Sequence, residues 1–127
     1  SPESGPYYEH YLPILAQVIA DYHSQLPTLI AGVTGYYLSV LNETPTDEDG
    51  ALLFSGIVPH VPGICHVNLL HKFIEDGYSD EDAKFAFAHE VFHCIQATIN
   101  PSSWLKRPKW VVEGSATFAA EYLYHNT

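Results

Sequence analysis

The sequence predicts a single α+β domain over residues 1–127: an N-terminal helix, a small sheet of at least three strands, then two further helices. Three observations carry that expectation. Apolar residues recur at three- and four-residue spacing near both ends of the chain. Short β-branched and aromatic segments bounded by turn residues fill the middle. Nothing between them reads as a linker, a repeat or a low-complexity tract, and 127 residues suffice for one modest core.

The first helix is expected from about Tyr8 to Leu26, with residues 1–6 a flexible N-terminus. Tyr11, Leu12, Leu15, Val18, Ile19 and Tyr22 form its apolar stripe, and Pro27 closes it. Strands are expected over Val33–Leu41, Ala51–Val58 and Ile64–Lys72, separated by the Thr44–Gly50 turn segment and by Pro59 and Pro62. Ser79 then caps a helix whose first turn holds Asp80, Glu81 and Asp82, where carboxylates favour the helix dipole. With Asp76 nearby these acids could form a calcium site, but they lack the spacing of a calcium-binding loop. From Ala83 to Ile99 that helix is apolar on almost every side, as a buried element would be, and Pro101 ends it. A last helix starts near Pro108 or Lys109 and runs past Leu123.

Composition narrows the function. Apolar residues make up 46% and charged residues 16%, which excludes a disordered tail. No apolar run approaches the ~18 residues of a membrane span. A formal charge of −10 repels phosphate backbones, so nucleic acid is not an expected partner. Ser1–Gly5 is no signal peptide, and the absence of methionine even at position 1 reads as a processed or excised chain. Asn42-Glu43-Thr44 fits the glycosylation sequon, whereas Asn100-Pro101-Ser102 is blocked by its proline. With no Met, few Lys and nine Tyr, the composition favours a secreted or extracytoplasmic protein and leaves a cytoplasmic one open.

The chemistry centres on His89-Glu90-Val91-Phe92-His93 in the buried helix. Histidines at i and i+4 project from one helix face, so both imidazoles can reach one tetrahedral Zn²⁺. Glu90, one residue round, is poorly placed to ligate the same ion but can take a proton from water attacking a carbonyl. Two satisfied core histidines are the plain alternative. Against it, burying two imidazoles and a carboxylate in an apolar helix is costly unless something partners them. The expected third ligand is Glu113, 20 residues after His93, a lone carboxylate in an apolar stretch with the small Gly114 and Ala116 beside it. An exposed glutamate at a helix start is the competing reading there.

The pair of motifs, His89-Glu90-x-x-His93 and Trp110-x-x-Glu113-Gly114-x-Ala116, resembles the gluzincin zinc metallopeptidases, and is most similar to the single-domain minigluzincins. In element order the likeness spans Val33 to Tyr124. The resemblance implies a zincin-like fold, one zinc per chain held by His89, His93 and Glu113, Glu90 as general base and then general acid, and a peptide or protein substrate. Gln96 and Ile99 stand where metzincins carry Gly and a third His, and the Met of the aminopeptidase signature is absent, which favours an endopeptidase. Thr117 occupies the place of an aspartate that orients a histidine ligand in thermolysin-like enzymes. Tyr122, Tyr124 and His125 are the remaining candidates for stabilising an oxyanion. By the same resemblance Val67, Asn68 and Leu69 would form the strand that pairs with extended substrate, an ordinary core strand being the alternative. Cys65 and Cys94 could bridge that strand to the zinc helix, implying an oxidising compartment, or remain two buried thiols. Two other readings keep the same ligands: a non-catalytic zinc module that binds a protein, and a self-occluded peptidase whose cleft is filled by Leu123–Thr127 or by a second copy of the chain.

Overall fold

The computed structural model describes residues 5–42, 53–57, 63–99 and 108–124. Its elements run α1 (Gly5–Gln25), α2 (Pro27–Ile30), β1 (Gly35–Leu41), β2 (Leu53–Ile57), β3 (Ile64–Leu70), α3 (His71–Glu75), α4 (Asp80–Ile99) and α5 (Lys109–Tyr124). Mixed helix and strand with a small sheet agrees with the α+β expectation.

Helix α1 starts earlier than its apolar stripe predicts. Gly5 and Pro6 lie in its first turn rather than in a flexible end, since proline there forfeits no internal hydrogen bond. Its stripe Tyr11, Leu15, Val18, Ile19 and Tyr22 is buried against α4 and β1. The sheet order is β1-β3-β2. β3 is parallel to β1, with Leu38 opposite Val67, and antiparallel to β2, with Ser55 opposite Val67. Alternation along β3 turns Cys65, Val67 and Leu69 into the core, all fully buried. Gly63 launches this strand at φ 89°; a Cβ there would lie 2.8 Å from Thr34 Oγ1, and its carbonyl accepts the Thr34 amide at 2.9 Å.

The third strand ends at Leu70, two residues short of the predicted Lys72. Phe73 is buried in the single turn α3 that follows. Ser79 caps α4 as expected: its hydroxyl accepts the Asp82 amide at 3.1 Å, and Asp82 returns the favour to the Ser79 amide at 3.0 Å. Asp80 accepts from His10 at 2.8 Å, so two of the three leading acids already have protein partners. Helix α4 lies at the centre, packed on α1, the sheet and α5. Cys94 on its buried face is bridged to Cys65, with Cα atoms 5.6 Å apart. Tyr22, fully buried, donates its hydroxyl to the Ala88 carbonyl at 2.6 Å and so ties α1 to the turn just before His89.

Candidate metal centre

His89 and His93 rise one above the other on α4, and Glu113 reaches them from the first turns of α5. Their side chains are about one-fifth exposed for the histidines and 45% exposed for the glutamate. Glu113 Oε2 lies 2.8 Å from His89 Nε2 and 3.1 Å from His93 Nε2, and the two Nε2 atoms are 3.1 Å apart. Ligand atoms at zinc bond lengths near 2.1 Å in a tetrahedron would stand roughly 3.4 Å apart, so three corners are nearly in place.

The second nitrogen of each ring decides what these atoms can do. Gln96, 3% exposed, donates its amide Nε2 to the Val112 carbonyl at 3.0 Å. That fixes the amide, and its Oε1 therefore faces His93 Nδ1 at 2.8 Å. An amide oxygen only accepts, so Nδ1 carries the proton and the neutral ring turns the Nε2 lone pair towards Glu113. Thr117 Oγ1 stands 3.2 Å from His89 Nδ1 and can hold the second ring in the same tautomer. Three acceptor atoms then converge with no proton between them, an arrangement a cation would resolve. His₂Glu is the donor set of a catalytic zinc that keeps one position open, and among the described residues no fourth His, Cys, Asp or Glu joins the group. The residues fit the metal.

Burial lowers the pKa of His89, and His93 adds to that, against the raising effect of Glu113. Burial alone would raise Glu113; the two histidines, when protonated and donating to it, outweigh that and hold its carboxyl below the usual range. A metal ion would take the place of those shared protons, since its binding requires imidazole nitrogens free of them.

Other predicted residues fare differently. Glu90 is half-buried beside His89, about 100° round the helix. Thr117 stands at His89 as foreseen. Tyr124 does not face the centre, because its hydroxyl donates to Asp21 at 2.8 Å under the Lys84 ammonium. Burial first, then Asp21, pushes that phenol's pKa up. Tyr122 follows Glu113 by nine residues, which is about half a turn round and some 13 Å along α5, so it lies on the opposite face. His125 is outside the described residues. Val67, Asn68 and Leu69 occupy the central strand, bonded on both sides, so they cannot pair with an extended substrate. Gly114 packs against nothing, with open space where a Cβ would be; close approach of the helices is left to the fully buried Ala116. His66 is held by Ser39 Oγ at 2.7 Å and stacked on Tyr37, away from the metal group.

Gln96 is the residue that sequence reading missed. Its signal was a lone amide one helical turn after His93 in an apolar run. Gln96→Leu should lower zinc affinity about 10- to 100-fold while leaving the fold intact, because the ring loses the acceptor that fixes its tautomer. Competition with a chromophoric chelator measures it, and unchanged affinity would remove Gln96 from the site.

Compared with known proteins, the chain matches no protein-family model, no curated protein and no solved structure.

Proposed function

We propose that the chain is a zinc-dependent metalloendopeptidase of gluzincin type. The observation that carries this is the convergence of His89, His93 and Glu113 with their outer nitrogens engaged by Thr117 and Gln96, beside Glu90. His89, His93 and Glu113 would hold the ion, and bound zinc supplies Lewis acidity towards a carbonyl and towards water. Glu90 takes the proton of the attacking water and delivers it to the nitrogen of the leaving amine. Gln96 would keep His93 in the ligating tautomer through that cycle, and Thr117, by accepting from Nδ1, would do the same for His89. An extended substrate would join the edge strand β2, which lies against α4, rather than the doubly paired β3. The Cys65–Cys94 bridge supports an oxidising, extracytoplasmic setting, and no helix among the described residues is long and apolar enough to cross a membrane.

The test is incubation of the zinc-loaded chain with a mixed peptide library, with and without chelator. Cleavage that the chelator abolishes and zinc restores is the expected result. Stoichiometric zinc with no cleavage would replace the reading by a non-catalytic zinc module.

Acid should empty the site. A depressed pKa keeps His89 neutral further into acid than an ordinary imidazole at about 6.5, so protons displace the metal only at lower pH. Zinc retention should hold at neutral pH and decline below about pH 6, read by metal content after dialysis across a pH series. Full retention at about pH 4 would exclude histidine ligation.

A further inference from the structure

Behind α5, on the side away from Glu113, an open apolar groove of about 490 Å³ runs between α5, Phe92 of α4, and Leu26 and Leu29 at the α1–α2 junction. On its rim Trp110 is 76% exposed, Phe118 70% and Tyr122 49%. Among the described residues no charged side chain lines it, although the chain as a whole carries −10. We propose that this face binds a second copy of the same chain in an antiparallel, two-fold α5–α5 contact.

The sequence along α5 is self-complementary in a way that picks out this occupant. In an antiparallel pair whose two-fold axis passes beside Ala116, Trp110 meets the other copy's Tyr122, and Phe118 meets the other copy's Gly114. Both pairs share one centre. The glycine is the feature that makes the register work. Nothing lies within 4 Å of where its Cβ would stand, so packing in the single chain does not require a glycine, and the bare backbone leaves a seat for a ring. Ridge and groove lie on one face, as a two-fold interface between identical copies requires.

Area and charge agree with a copy as partner. At about 150–250 Å² for a whole aromatic side chain, the three rings offer roughly 400 Å² per copy. Two copies would bury roughly 800 Å² from rings alone; Leu26, Leu29, Phe92 and the rim bring the total towards the ~1,200 Å² of a small stable interface. Two chains at −10 repel one another, and an uncharged face is where they can still meet. Salt screens that repulsion without weakening apolar contact, so association should tighten as salt rises.

Sedimentation velocity of the zinc-loaded chain over a concentration series should show a monomer–dimer equilibrium in the micromolar range that salt strengthens. Phe118→Asp and Gly114→Lys should each make the chain monomeric. Both positions face solvent in the single chain, so folding and zinc content should not change, and both are measured as controls. Register is read by mixing Trp110→Cys with Tyr122→Cys, which should cross-link to each other faster than either does to itself. A monomer at all concentrations overturns the proposal, whether or not the groove takes up a small apolar dye. So does a dimer that survives both charged variants, and faster self-linking of either cysteine variant overturns the antiparallel arrangement.

Discussion

Glu90→Gln should keep about one zinc per chain and lose peptide hydrolysis by about 10²- to 10⁴-fold, the usual share of a general base. Glutamine is nearly isosteric with glutamate and still polar, so the half-buried position beside His89 is not emptied. What disappears is the ability to take a proton. The three converging atoms belong to His89, His93 and Glu113, so their hold on the metal should persist. Glu113→Ala should behave in the opposite order. It removes the carboxylate that touches both rings, at 2.8 and 3.1 Å, so zinc affinity falls and hydrolysis falls with it. Metal content after dialysis, measured beside peptide cleavage, separates the two variants. An empty Glu90→Gln beside a loaded Glu113→Ala would reverse the assignment of ligand and base.

That His89, His93 and Glu113 could be expected to converge before any coordinates reflects how local their signal is. His89 and His93 share a helix face because of a fixed 3.6-residue period, and Glu113 stood out as a charge among apolar neighbours. The end of α1 and the start of α4 were legible for the same reason: Pro27 and the Ser79 cap act on their own few residues. Strand order was not. Alternation says which residues are buried, but β3 takes the centre only because the chain forms β2 and then returns between it and β1. Nothing within seven residues encodes that. Tyr124 was misjudged similarly, since its partner Asp21 is 103 positions away. Position 114 shows another limit. A glycine beside Glu113 suggests tight helix packing, yet its bare side faces solvent. Gln96 falls between the two cases. Its spacing from His93 was visible, but its second contact, the Val112 carbonyl that orients the amide, depends on how α4 and α5 dock.

Docking of α4 on the sheet leads to the other large effect, which is on stability. Cys65 lies in the central strand and Cys94 directly follows His93, both fully buried, and their bridge closes a loop across 29 positions. Closing a loop of that size should stabilise the fold by about 3–4 kcal/mol through the entropy it removes from the unfolded chain. Against a total of about 5–15 kcal/mol for an ordinary domain, that is a large fraction. Cys65→Ala with Cys94→Ala together should therefore lower the melting temperature by roughly 10–15 °C. The measurement belongs in the presence of chelator, because bound zinc stabilises the folded state by mass action and would mask part of the loss. Burial makes a second expectation. Mild reductant should leave the native protein's bridge intact and cleave it once the chain is unfolded, since neither sulfur is reachable from water. Thiol titration of the denatured, unreduced protein gives the deciding observation. No free thiol is expected among the two cysteines; two free thiols would dissolve both the stability estimate and the case for an oxidising compartment.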